Sequence, residues 1–233
     1  MRIAVMFAAS VLIAGCSQIV GCSQTQQSQP GKLTPISPST ARGSSSSAAG
    51  TTTSATKTTP APEPGATAAE ALAWVQGAGP VDAAEFHVAL RNGSSTPLAD
   101  DVAFTTPSGI SCMTDVKRGG GLACLVNLTD PPPQPPDIYG VWKGGWVDYD
   151  GTAVVIGSAH GDPGRFALGQ GVPLPPDRSL SFGDFRCRTD STALVCANFA
   201  HQTAVRYSDA GIDAYGCTKL PVPAAGVGIQ YSC

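Results

Sequence analysis

Six cysteines in the later part of the chain limit its fold more than any other feature: Cys112, Cys124, Cys187, Cys196, Cys217 and Cys233. Four of them belong to a motif that occurs twice. Cys112-Met113-Thr114-Asp115 with Leu122-Ala123-Cys124 is echoed by Cys187-Arg188-Thr189-Asp190 with Leu194-Val195-Cys196. Val102-Ala103-Phe104 precedes the first copy, and Leu180-Ser181-Phe182 the second. In each copy Thr lies two residues after the first cysteine and Leu two before the second. In an antiparallel hairpin, residues two steps from a paired position are themselves paired and share a face. The spacing therefore predicts Thr114 opposite Leu122 and Thr189 opposite Leu194. Opposed residues have Cα atoms about 4.5–5.5 Å apart, within reach of a disulfide. Cys112 is expected to bond Cys124 and Cys187 to bond Cys196, which leaves Cys217 for Cys233 by elimination.

The N-terminus supplies the oxidising compartment that disulfides need. Met1-Arg2, an apolar run from Ile3 to Ile13 and the small pair Ala14-Gly15 follow the plan of a secretory signal. The run is too short to span a bilayer, which takes roughly 20 residues. Cys16 directly after Ile13-Ala14-Gly15 resembles the bacterial lipobox, in which the thiol receives lipid and becomes the new N-terminus. That likeness implies a signal peptide over 1–15 and attachment to the membrane through lipid on Cys16. Gly21-Cys22-Ser23-Gln24 repeats Gly15-Cys16-Ser17-Gln18. Ser17-Gln18 would interrupt the apolar core if Cys22 were the acceptor, so Cys22 reads as a free thiol. Residues 23–66 are Ser, Thr, Pro, Gln, Ala and Gly with almost no large apolar side chains. Such a stretch cannot bury enough area to offset the entropy of ordering it. Residues 16–66 are therefore expected to form a lipidated, disordered tether, and 67–233 the folded domain.

That domain carries ten basic and sixteen acidic side chains, a net charge of −6. It lacks the basic stripe that nucleic acid or anionic lipid requires, and neither is an expected partner. Thr67 with Glu70 forms a capping box for a short helix running to Val75 and ended by Gly77 and Gly79-Pro80. Phe86, Val88 and Leu90 alternate as a strand before an Asn92-Gly93 turn. Asp150-Gly151 marks a hairpin, Lys117-Arg118-Gly119 a three-residue loop, and Asp190–Ala193 a four-residue loop. Pro131–Pro136 reads as a stiff connector between the two halves. The apolar phase slips by one residue across Gly183-Asp184, which predicts a β-bulge. Short strands, glycine turns and three disulfides indicate a mainly β fold. Antiparallel sheets, as a sandwich or barrel-like structure, are built around two similar hairpins, with one short N-terminal helix.

Motifs of known chemistry are absent: no Gly-x-Ser-x-Gly, Walker loop, His-Glu-x-x-His or Gly-x-Gly-x-x-Gly occurs. No cofactor and no metal are expected. Cysteine spacing lacks Cys-x-x-Cys, and His87, His160 and His201 stand apart from the cysteine pairs. Gly157-Ser158-Ala159-His160-Gly161-Asp162 reads as a polar loop, since catalytic triads are assembled from distant positions. Asp148-x-Asp150-Gly151 lacks the further ligands of a calcium loop and reads as a turn. His201 reads as structural.

Phe104-Thr105-Thr106-Pro107-Ser108-Gly109 with Cys112, and Gly183-Asp184-Phe185-Arg186-Cys187 with Leu194-Val195-Cys196-Ala197-Asn198, look like paired cystine motifs of exported actinobacterial proteins. With the lipobox and tether, the chain resembles small mycobacterial cell-envelope lipoproteins. The resemblance implies a lipid-anchored envelope protein and assigns no catalytic residue. The expected function is a monomeric, non-catalytic binding module for an envelope glycan, lipid or protein. Its expected binding surface is an exposed aromatic patch of Trp142, Trp146 and Tyr149. One alternative is an enzyme acting on cell-wall material, which needs a pocket where His160, Asp162 or His201 converge. The other is a purely structural envelope component.

Overall fold

The computed structural model describes residues 59–160 and 163–233; Cys16, Cys22, Asp162 and most of the expected tether lie outside them. After helix α1 (Ala68–Gln76) the strands run β1 (Gly79–Pro80), β2 (Val88–Arg91), β3 (Ser94–Pro97), β4 (Ala103–Thr105), β5 (Ser111–Thr114) and β6 (Leu122–Leu125). Then come β7 (Trp142–Tyr149), β8 (Ala153–Ala159), β9 (Val172–Pro173), β10 (Arg178–Phe182) and β11 (Phe185–Thr189). The last are β12 (Leu194–Asn198), β13 (Thr203–Ser208), β14 (Gly211–Tyr215), β15 (Thr218–Lys219) and β16 (Val227–Ser232).

These strands form a mainly β, antiparallel structure with no closed barrel. One sheet has six strands in the order β1-β10-β11-β12-β13-β14, a second has eight in the order β15-β16-β8-β7-β6-β5-β4-β9, and β2 and β3 pair as a small third sheet. Among the described residues only the short edge pairings β1·β10 and β4·β9 are parallel. The inner faces share one core, in which Phe104, Leu122, Val147, Tyr149 and Ile156 of the larger sheet meet Leu180, Leu194, Val205 and Tyr207 of the smaller. Tyr149 makes the closest inter-sheet links, edge-on to Phe185 at 5.5 Å and hydrogen bonded to Thr203 Oγ1 at 2.8 Å.

The twofold sequence motif is a twofold structural one. Cys112 stands opposite Cys124 and Thr114 opposite Leu122; Cys187 stands opposite Cys196 and Thr189 opposite Leu194. All three expected disulfides are present. The likeness extends one strand further than the motif. Val147 and Tyr149 oppose Cys124 and Leu122, just as Val205 and Tyr207 oppose Cys196 and Leu194. Each half is thus a four-strand meander with its cystine bridging the middle strands. Both cystines lie in the core, with all four cysteines fully buried. Cys217–Cys233 flanks the β15–β16 pairing and is more exposed.

Several local expectations change. Gly183-Asp184 is a two-residue hairpin turn between the paired Phe182 and Phe185, not a bulge. Gly183 at φ 48° takes the first central position, which only glycine occupies readily. The apolar phase slips there because the chain reverses. The loop after β5 spans seven residues, 115–121, because a 3-10 turn over Val116–Arg118 precedes the left-handed Gly119. Phe86 ends another 3-10 turn and the strand begins at Val88. The prolines of 131–136 join β6 to β7, neighbours in one sheet, and do not cross between the halves.

The outer faces are covered too. On the smaller sheet, α1 buries Ala71, Leu72, Trp74 and Val75 against Val195, Ala197, Ala204 and Tyr215. Its Thr67–Glu70 capping box is formed. Residues 59–66, expected within the tether, pack here as well, so the boundary at 67 lies too late. Ala61 is buried and its N–H donates to Asp190 Oδ2 at 3.0 Å. Trp74 Nε1 donates to Thr59 O at 2.8 Å, and Tyr215 OH to Pro62 O at 3.0 Å. Composition alone misses this segment because its partners are polar atoms far along the chain. On the larger sheet, Ala89, Leu98, Ala103 and Met113 make a smaller outer cluster beside Phe166. No helix among the described residues is long and apolar enough to cross a membrane.

Candidate functional site

The β7–β8 pair carries the most irregular backbone of the larger sheet. Its register shifts between Lys143 and Val147: three residues of β7 face a single one of β8. Two glycines permit this. A Cβ on Gly145 would lie 2.0 Å from Val126 O, so only glycine lets the strands approach. Gly157 has φ 75° and would place a Cβ 2.7 Å from Trp142. On β8, Val154 and Ile156 face the core. Plain alternation would send Ser158 there as well. The left-handed Gly157 breaks the phase, and His160 instead lies against Trp146 on the outer face. Bulges of this kind re-aim side chains, and they recur beside functional sites.

The three aromatic residues expected as an exposed patch do not form one. Tyr149 is fully buried and faces the core. Trp146, on the opposite face, is only 2% exposed. Phe166 covers it edge-on at 5.1 Å, and the His160 ring stacks on it at 3.7 Å. Trp142 is half-buried and donates through Nε1 to Pro132 O at 2.9 Å. The reason is sheet position: β7 is interior to its sheet, and Trp146 and Tyr149 are covered on opposite faces of it.

Around Trp146 stands a polar set. Its Nε1 donates to Asp148 Oδ2 at 2.8 Å, and Arg165 approaches Asp148 Oδ1 at 3.8 Å. Burial pushes the Asp148 carboxyl up, against the opposing pull of the Trp146 hydrogen bond and the Arg165 charge. Arg165 is itself held by the carbonyls of Met113 and Gly121 at 3.1 and 2.7 Å. Asp148, Asp150, Arg118 and Arg165 line a groove of about 360 Å³. Lys143 Nζ lies 5.2 Å from the Trp146 ring centre, and Ser158 Oγ lies 2.6 Å from His160 Nε2. Ser158 is therefore a strand residue, not part of a polar loop. His201 is exposed at a turn where its N–H donates to Asn198 Oδ1; it lines an adjoining groove of about 270 Å³ with Asp184 and Phe185, which shares Asp150 with the first.

The exposed apolar surface lies elsewhere. Tyr139, Val141 and Val222 are 91%, 58% and 78% exposed. They belong to two loops, 131–141 and 220–226, whose prolines frame a groove of about 420 Å³. Gln134 Nε2 donates to Ile138 O at 2.5 Å, which ties the first loop across itself. The sequence signal was available: Tyr139 sits in a proline-rich run with no strand period to bury it. No protein-family model, curated protein or solved structure matches this chain.

Proposed function

We propose that the protein is an exported cell-envelope lipoprotein, anchored by lipid on Cys16, whose domain binds an uncharged envelope glycan. The supporting observation is the groove lined by residues 133–137 and 222–228, with Tyr139, two residues past its Asp137, almost wholly exposed. An exposed ring on a stiff loop is an anchor that loses little entropy on binding. The groove residues include one ionisable group, Asp137, and no base. That chemistry suits hydroxyl-rich, uncharged ligands and not phosphates.

Two experiments test this. Intact mass of the mature N-terminus should show acylated Cys16, and Cys16→Ala should abolish acylation; an unmodified N-terminus overturns the anchor. One chain binds membranes only marginally, so more than one is expected. For the groove, the mature chain should co-sediment with purified insoluble cell-wall polysaccharide. Tyr139→Ala should weaken this by about thirtyfold, the loss of roughly 2 kcal/mol typical of an aromatic anchor. Equal retention of the variant refutes the assignment, and retention on neutral phosphatidylcholine vesicles that Tyr139→Ala weakens, with none on polysaccharide, reassigns the surface to lipid.

A further inference from the structure

A second site lies on the outer face of the larger sheet, at the β8 residue that pairs with the groove's Val227. Ser158 Oγ and His160 Nε2 are 2.6 Å apart, the separation at which a hydroxyl donates to an imidazole nitrogen. The two residues are next-but-one neighbours on β8 and its C-terminal edge, and so project to the same side. The imidazole is fixed in plane by Trp146, stacked at 3.7 Å with 26° between the rings. Trp146 is fixed in turn by Asp148 and Phe166. Lys143 pairs with Ser158 across the strands and brings a cation to the same patch. Both Ser158 and His160 are partly exposed to solvent. The chain reaches this arrangement only through two irregularities, the left-handed Gly157 and the bulge over Gly144–Trp146.

From this geometry we propose that Ser158 is a nucleophile activated by His160, acting in acyl transfer from carboxylic esters to water. A serine is a weak nucleophile until a base takes its proton, and a hydrogen-bonded imidazole held by a third group is the recurring solution. In the first step Ser158 Oγ bonds the ester carbonyl carbon while its proton passes to His160 Nε2. The ester C–O bond then breaks, and the alkoxide leaves with that proton as an alcohol. In the second step His160 takes a proton from water, and the hydroxide bonds the acyl carbon. The Oγ–C bond breaks, Ser158 regains the proton, and a carboxylic acid departs. The site lies at the partly exposed C-terminal end of β8. Neither residue lines any of the grooves described above. The substrate class is therefore an ester presented on an extended surface, not one enclosed in a cavity. The inference is independent of the glycan groove.

The test is covalent labelling of the mature chain with a fluorophosphonate. Phosphorus bonds Ser158 Oγ, fluoride leaves and the proton goes to His160, so each labelled molecule carries one adduct. Peptide mass mapping should place it on Ser158, and Ser158→Ala should remove it. His160→Gln should label at least about a hundredfold more slowly, the usual contribution of a positioned general base. Circular dichroism establishes that each variant is folded. The absence of an adduct on Ser158 in the folded wild type overturns the proposal, whatever the variants do. Equal labelling rates in wild type and folded His160→Gln overturn it as well.

Discussion

Tyr149 and Tyr207 occupy matching places in the two halves, yet their hydroxyls meet opposite fates. Replacing each by Phe should therefore shift stability in opposite directions. Thr203 Oγ1 donates to Gly151 O at 2.8 Å, so Tyr149 must be the donor in its own 2.8 Å bond to Thr203. Tyr149→Phe deletes that bond and the Asn198 backbone contact to the phenol oxygen, while Thr203 keeps the carbonyl. The expected loss is at least the net worth of one hydrogen bond, about 1–2 kcal/mol. The Tyr207 hydroxyl is fully buried and meets no partner among the described residues. A buried unpaired hydroxyl costs about 1–3 kcal/mol, so Tyr207→Phe should stabilise by about 1 kcal/mol or more. Urea unfolding curves at neutral pH would then separate the two variants by about 2 kcal/mol or more. Destabilisation by Tyr207→Phe equal to that of Tyr149→Phe would refute the reasoning. Alkaline titration gives a second reading. Burial pushes the Tyr149 phenol from 10.0 up to about 12, and that of Tyr207 well above its ordinary value. The native state therefore holds protons that the unfolded state releases. Stability should be intact below pH 10 and fall as pH rises toward 12, on the order of 3 kcal/mol for Tyr149 alone. Tyr207→Phe should flatten that fall.

The disulfides should rank by burial and not by loop length. Cys187–Cys196 closes a separation of 9 residues and Cys217–Cys233 one of 16. Chain entropy alone favours the second slightly, about 3 against about 2.5 kcal/mol. Removing two fully buried sulfurs adds about 1 kcal/mol each, so Cys187→Ala/Cys196→Ala should cost more than Cys217→Ala/Cys233→Ala in urea melts. The reverse order would show that loop closure dominates. Gly145→Ala forces a Cβ to within 2.0 Å of a backbone oxygen and should lower the thermal midpoint by several degrees or prevent folding. A melting curve unchanged from wild type would rule out that contact.

The disulfide register was readable because the strand period is two and the motif occurs twice, so each offset fixed a pair. The helix was readable because its Thr67–Glu70 cap is a local signal. Exposure was not. Whether Trp146 and Tyr149 face solvent depends on what covers each face of β7. Phe166, which covers Trp146, lies twenty residues along the chain from it. The Ser158–His160 contact was hidden for a related reason. Strand alternation assigns Ser158 to the core, and only the conformation of Gly157 reverses this. The packing of residues 59–66 depends on Asp190 and Tyr215, too distant for composition to register.

Residues 59–63 also determine how the domain bears load. Any tension arriving from the N-terminal side of Thr59 meets three attachments before it reaches the first turn of α1. These are Thr59 O on Trp74, Ala61 N–H on Asp190, and Pro62 O on Tyr215. They lie on one side of the smaller sheet and are anchored in the helix and two different strand regions. The bonds lie at residues 59, 61 and 62, so a pull from the N-terminal side has to break them before it reaches the start of the helix. Asp190 also accepts from Thr192 and Ala193, so its carboxylate is braced before any pull arrives. The segment is a strain relief, which keeps a tug on the chain from peeling the capped end of α1 off the sheet.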